Sequence, residues 1–339
     1  MRPPLALQHR SSALVANYIN LRNRAGTTAG AAVKADAYGL GAGEAARLLL
    51  EAGCRDFFVS TWWEAAELTF LPSNSLSVLH GIGPEDEPRP GVRPVLVTPQ
   101  QVARWKASSS AGQPCDVMVD TGMNRLGLST QDLGCLDGLN IHTLHSHLAC
   151  ADEEHVLNRK QLECFLGVRQ AVQAERYSLA NSAGIFLGRD YAFDLVRPGL
   201  ALYGGIPRAE ARGEIQQVTT PLARVIQLRN VTAGETVGYN ATFTARQDMP
   251  VAVINLGYAD GYRRAFSSLG QARFDNQLLP VIGRVSMDLV TLDATQASGL
   301  EEGDWVELDF DLEHGAALTG ISQYELLTGL GRRFQRSWI

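Results

Sequence analysis

From about residue 28 to residue 200, short apolar runs alternate with stretches whose apolar residues recur at three- and four-residue steps. That rhythm is expected of β-strands separated by covering helices. Eight runs read as strands, at 30–34, 56–61, 76–81, 94–98, 115–120, 141–148, 177–181 and 194–197, and the segments 44–52, 100–107 and 153–175 read as helices between them. Eight such units predict a (β/α)8 barrel of the TIM type, with its active site where the strands end. The chemically able residues cluster at those predicted ends: Lys34, Arg125, His147, Asn181, Ser182 and Arg197.

After Gly213 the texture changes. The stretches 222–231, 251–256, 281–293 and 304–310 alternate apolar with polar residues, and Thr232-Ala233-Gly234-Glu235 and Glu301-Glu302-Gly303-Asp304 read as turns. The organisation expected is therefore an α/β barrel over 1–214 and a mainly β C-terminal domain over 215–339.

Composition narrows the function class. A chain of 339 residues, 45% hydrophobic and 19% charged, can bury a sizeable core, and no apolar stretch is long enough to cross a bilayer. A formal net charge of -6, with Lys and Arg scattered, argues against nucleic acid and for a small-molecule substrate. The five cysteines are odd in number and without close pairing, which suits a reducing cytoplasm rather than a disulfide framework or a CxxC metal site. The N-terminal segment lacks the apolar core and cleavage site of a secretory signal.

Lys34 carries the strongest chemical signal. The apolar run Ala31-Ala32-Val33 delivers it into the glycine-punctuated loop Ala35-Asp36-Ala37-Tyr38-Gly39-Leu40-Gly41. A lysine at a buried strand end is costly unless its ammonium is paired, hydrated or converted to a Schiff base with an aldehyde; one that snorkels to the surface is the plainer alternative. The other motifs also have plain readings. Val119-Asp120-Thr121-Gly122-Met123-Asn124-Arg125-Leu126-Gly127 reads as a strand and a loop with a solvent-facing arginine. Of His142, His145 and His147, only the last two share a strand face, and no carboxylate sits at ligand spacing, so no metal is expected. Asn181-Ser182-Ala183-Gly184 is compatible with a helix cap, and Gly238-Tyr239-Asn240 and Gly257-Tyr258-Ala259-Asp260-Gly261 with aromatic turns.

In order, however, these motifs resemble the signature of bacterial alanine racemases, and the resemblance runs from about Ala31 to Arg336. It implies a pyridoxal 5'-phosphate enzyme of fold type III that interconverts L-alanine and D-alanine, with Lys34 carrying the cofactor as a Schiff base. It also implies a homodimer with shared active sites, in which Tyr239 from the β domain of a second subunit is the opposing base. Arg197 would hydrogen-bond the pyridine nitrogen, with His147 linking Arg197 to Tyr239. Arg125 and the backbone N–H of Met287, within Gly283-Arg284-Val285-Ser286-Met287-Asp288, would meet the substrate carboxylate. Tyr38, Ser182 and the backbone of Gly199 and Leu200 would bind the phosphate, in keeping with barrels that build phosphate sites after strands seven and eight.

The residue types suit the chemistry. Removing an α-proton from one face and returning one to the other needs a base on each side. Lys34 is assigned the D face and Tyr239 the L face; with ordinary pKa values of about 10.4 and 10, both need neighbouring cations or desolvation to act. Three positions depart from the family pattern. Met118 stands where many members carry a carbamylated lysine, Leu40 where a histidine is usual, and Arg332 where some have an active-site gate tyrosine. The D-alanine is expected to serve peptidoglycan synthesis. Rivals are a broad-specificity or serine racemase, a decarboxylase of the same architecture, and a non-enzymatic cofactor carrier, which the segment after residue 215 disfavours.

Overall fold

The computed structural model describes residues 3–339 and divides into two units: Ser12–Gln216, and Gln217–Ile339 together with the described residues up to Ser11. In the first unit seven short parallel strands pair in chain order: Ala31–Ala32, Phe57–Val59, Leu76–Val78, Val92–Leu96, Cys115–Met118, Ile141–His145 and Arg176–Ser178. The eighth, Leu195–Val196, closes the ring. It pairs with Thr28–Ala29, which runs through Gly30 into the first strand, and it meets the seventh through an Asn181–Arg197 bridge. Gly30 is required by close approach, because a Cβ there would stand 2.7 Å from the Asp56 carbonyl oxygen. The result is the expected (β/α)8 barrel.

Helix ends explain where the observed elements differ from the pattern. The predicted strand 94–98 stops at Leu96 because Thr98 caps the helix Pro99–Ala107, its hydroxyl accepting from the Gln101 amide at 3.1 Å. The predicted helix 153–175 contracts to Val156–Ala171 because His155 caps it and Asn158 holds the Cys150 and Glu153 carbonyls outside it. Val102 and Trp105, and Leu162, Phe165 and Val168, recur at three-residue steps and press onto the outer faces of the strands with Val117, Leu144 and Leu179.

The barrel interior is layered. Ser77, Arg93, Asp116 and Thr143 make a buried polar layer, and two residues further along the first three of these strands Leu79, Val95 and Met118 make an apolar one, with His145 in that place on the fourth. Met118 therefore sits among hydrocarbon.

The second unit is an eight-stranded sheet in the order Met249–Ile254, Val290–Asp293, Gln277–Ile282, Gln271–Phe274, Trp305–Leu308, Thr219–Val231, Leu5–His9 and Gln335–Trp338. A further pairing of Met249–Ile254 with Thr219–Val231, across a bulge between Val225 and Gln227, joins six of these strands into a ring. Two features differ from the sequence reading. Leu5–His9, counted with the barrel above, pairs antiparallel with Thr219–Val231 (Leu5 opposite Ala223) and parallel with Gln335–Trp338. The stretch 281–293 is two strands, because Gly283 at φ +67° and a turn closed by Ser286 and Leu289 break it. No helix among the described residues is long and apolar enough to cross a membrane.

Candidate functional site

Lys34 leaves the first barrel strand and enters an unusual turn. Ala35, Asp36, Ala37 and Tyr38 hold φ of 51°, 54°, 52° and 58°, so four consecutive non-glycine residues are left-handed, and Gly39 continues the run at φ 91°. That conformation costs roughly 1–2 kcal/mol per L-residue, and two carboxylates hold it. Glu64 accepts from the Ala35 amide at 2.7 Å while its other oxygen accepts from Ser60 and Thr61 at 2.6 and 3.0 Å. Asp36 accepts from the Ala42 amide at 2.7 Å. The turn thereby fixes the spacing between Lys34 and Tyr38.

Around Lys34 the charges are mostly positive. Burial, then Arg125, and then Arg197 beyond the opposing pull of Glu64, push its ammonium below the ordinary lysine range. His147 is pushed down to about 3 by burial and by Arg197, Arg125 and Lys34, so its ring is neutral at physiological pH. Lys34, Arg125, His147 and Arg197 are thus one cluster. Among the described residues neither Lys34, Arg125 nor Arg197 forms an ion pair. Arg125 is exposed, in a loop pinned by Asp120, which accepts from the amides of Gly122, Met123 and Arg125 at 2.8, 2.9 and 3.2 Å. Met118 offers it no anion.

A second focus lies after strands seven and eight. Ser182 Oγ accepts from the amides of Gly199 and Ala201 at 2.9 and 3.2 Å, folding that backbone around the hydroxyl. A Cβ on Gly199 would stand 2.2 Å from Tyr38 Oη, so the tyrosine that leaves the left-handed turn reaches this backbone. Tyr38 packs on Tyr203 with ring centroids 4.9 Å apart, and Tyr203 Oη donates to the Ala32 carbonyl at 2.9 Å. Tyr38, Ser182, Gly199 and Leu200 are thereby brought together, as the sequence implied.

Arg197 is buried, and burial pushes its guanidinium down to about 10. Its Nη1 donates to His145 Nδ1 at 3.2 Å and to Ser178 Oγ, and its Nη2 to the carbonyls of Ser146 at 2.5 Å and Leu179 at 3.4 Å. Nε has no partner among the described residues. The histidine bonded to Arg197 is therefore His145, which the sequence reading did not select, and the His147 ring makes no hydrogen bond among the described residues. The shared strand face of His145 and His147 was the signal available. Glu64 was missed as well, for nothing in a Thr-x-x-Glu helix start shows that its carboxylate also reaches Ala35.

Tyr239 and Met287 belong to the other unit, and both are exposed, by 69% and 54%. Tyr239 sits in a tight turn with Asn240 and Ala241 at φ 62° and 48°. The Met287 loop is held because Ala259 donates to the Met287 carbonyl at 3.1 Å and Arg333 bridges Asp260 and Asp288 at 2.6 and 2.7 Å. Arg332 is exposed. One cluster of metal-capable groups, Cys150, Glu153 and His155, has ligand atoms within 4.8 Å, but His155 Nδ1 already accepts the Leu157 amide of the helix it caps.

Residues 10–207 match the family model described as "Alanine racemase, N-terminal domain", and residues 218–338 that described as "Alanine racemase, C-terminal domain". The chain is 43% identical to a protein of Agrobacterium fabrum named "Alanine racemase, catabolic", over 96% of this chain and 90% of that one. It is 38% identical to another from the same organism named "Alanine racemase, biosynthetic", over 99% and 94%. A crystal structure of alanine racemase from Bartonella henselae with covalently bound pyridoxal phosphate superposes with a TM-score of 0.92 at 36% identity, covering 100% of both chains.

Proposed function

The chain belongs to the alanine racemase family, a pyridoxal-phosphate-dependent isomerase family, and on that premise we propose that it interconverts L- and D-alanine with Lys34 and Tyr239 as bases on opposite faces. The residues present fit the cofactor. The hydroxyls of Tyr38 and Ser182 meet at the Gly199 backbone and are of the kind that hold a phosphate, Arg197 keeps one donor unpartnered among the described residues for a ring nitrogen, and Lys34 has a depressed ammonium suited to Schiff-base chemistry. Once bound, pyridoxal phosphate acts as the electron sink that makes the α-proton of the amino acid removable.

The rest is done by the chain. Lys34 Nζ takes or returns the proton on the D face, and Arg125 and Arg197 favour its neutral form. Tyr239 Oη serves the L face; its exposure supports a reading in which the partner subunit's Tyr239 approaches the barrel mouth. Arg125, exposed and without an ion pair among the described residues, receives the substrate carboxylate together with the amide of the partner subunit's Met287. Arg197 cannot readily surrender its proton, so it donates to the ring nitrogen without protonating it and moderates the sink. We assign the enzyme to the cytoplasm and its D-alanine to peptidoglycan, which complementation of a D-alanine auxotroph tests.

The observation that carries this reading is the half-buried Lys34 among cations, with no ion pair among the described residues. Co-refolding inactive Lys34→Ala and Tyr239→Phe chains tests it together with the shared site. Half the dimers should be hybrids with one intact site, so about a quarter of wild-type activity should return. No recovery, with hybrids shown to form, would refute the sharing. Borohydride reduction that labels any lysine other than Lys34 would sink the assignment of the cofactor-bearing residue.

A further inference from the structure

Arg197 is a buried cation whose hydrogen bonds all go to neutral acceptors. Isolating such a charge is expensive, and the nearest compensation in the barrel lies one imidazole away. A guanidinium only donates, so His145 Nδ1 must accept from Arg197 Nη1, which leaves the proton of the neutral ring on Nε2. That Nε2 lies 3.7 Å from Asp116 Oδ2 and is buried without a hydrogen bond. Asp116 is fixed by Ser77 Oγ at 2.6 Å, by Arg93 Nε at 3.1 and 3.2 Å, and by the Thr143 amide at 3.0 Å. Arg93, Asp116, His145 and Arg197 therefore form a row of alternating cation, anion, dipole and cation across the barrel, all of it buried.

We propose that Asp116 and His145 are a positioning pair for Arg197: the imidazole locks the guanidinium fork through Nδ1 and carries the field of the buried carboxylate to it, holding the arginine charged and in one orientation. The inference rests on the reading of Arg197 as the donor to the cofactor ring nitrogen. The plain alternative is packing, since the His145 ring also stands edge-on to Phe58, with centroids 5.7 Å apart at 87°.

Two substitutions in the holoenzyme separate these roles. His145→Phe keeps a ring but removes the acceptor. His145→Asn leaves a void, yet its side-chain oxygen stands close to where Nδ1 was. A positioning role predicts that His145→Phe shifts the visible absorbance of the bound cofactor, weakens cofactor binding and lowers kcat by roughly tenfold, the scale typical of groups that orient a reactive-site ligand from behind. His145→Asn should restore most of the spectrum and of kcat, although it melts at a lower temperature than His145→Phe. A packing role predicts the reverse order, with function following thermal stability and His145→Asn the worse of the two; that result, or a wild-type spectrum in His145→Phe, overturns the pair. Arg197→Gln separates the two readings. If it leaves the spectrum unchanged, the reading of Arg197 fails and the pair with it. If it shifts the spectrum while His145→Phe does not, the pair alone fails.

Discussion

The interior of the barrel and its mouth are built from the same strands, yet they treat charge in opposite ways. Inside, the buried Arg93 meets Asp116 at 3.1 Å and Asp56 at 3.7 Å, and the half-buried Arg176 meets Asp56 at 2.5 Å, so both of these arginines have a carboxylate. At the mouth Lys34, Arg125 and Arg197 have none among the described residues, while the carboxylates nearby, Asp36, Glu64 and Asp120, accept from backbone amides. Interior pairing serves the fold. The unbalanced positive charge at the mouth is destabilising in the free protein and favourable to anions such as a phosphate and an amino-acid carboxylate.

The contrast can be broken most forcefully at Asp116. Asp116→Asn takes from Arg93 its closer carboxylate and leaves it only Asp56 at 3.7 Å, which Arg176 shares; it should cost about 3–5 kcal/mol, read as a lower urea midpoint with an unchanged slope, and a loss under about 1 kcal/mol would mean that interior pairing is not what holds the strands. The next effect is on acid stability. Burial holds His145 down to about 4 against an ordinary 6.5, so between those values the unfolded chain binds a proton that the native chain refuses. Stability is therefore complete above pH 6.5, falls as the pH drops toward 4 and then levels for this group, a loss on the order of 3 kcal/mol. His145→Asn should make that part of the curve shallower, with His9 and His147, also held low by burial, keeping the remainder, while Asp116, held well below the carboxylate range by Arg93 against burial, stays ionised throughout. Smallest in stability is Arg125→Gln at the mouth. It should change the unfolding free energy by less than about 0.5 kcal/mol and raise KM for alanine about tenfold, equivalent to about 1.4 kcal/mol. A stability loss as large as that of Asp116→Asn would erase the distinction between mouth and interior.

Much of this was legible before any coordinates. The eight apolar runs mark the eight barrel strands, because strands buried on both faces leave a strong local signal. Tyr38, Ser182, Gly199 and Leu200 were legible as a group through resemblance, and the structure supplies the reason in the close approach of Tyr38 to Gly199. Long-range choices were not legible. Leu-Ala-Leu-Gln-His has the alternation of any half-buried strand, and nothing local says that it will pair with Thr219–Val231 across more than two hundred residues. Nor could alternation alone tell His145 from His147; one position along the same face decides which of them meets Arg197. The left-handed run was hidden too, since alanine and tyrosine give no hint of positive φ.

That run has a consequence for chirality in the chain itself. At 35 and 37 the backbone takes dihedrals natural to a D-residue, so D-alanine introduced there by chemical synthesis should relieve strain, as should glycine. Valine or isoleucine, with a branched Cβ, should be excluded from both sites, and most strictly from position 37, where the alanine is fully buried. The substitutions tolerated beside Lys34 are thus set by handedness before size or polarity is consulted.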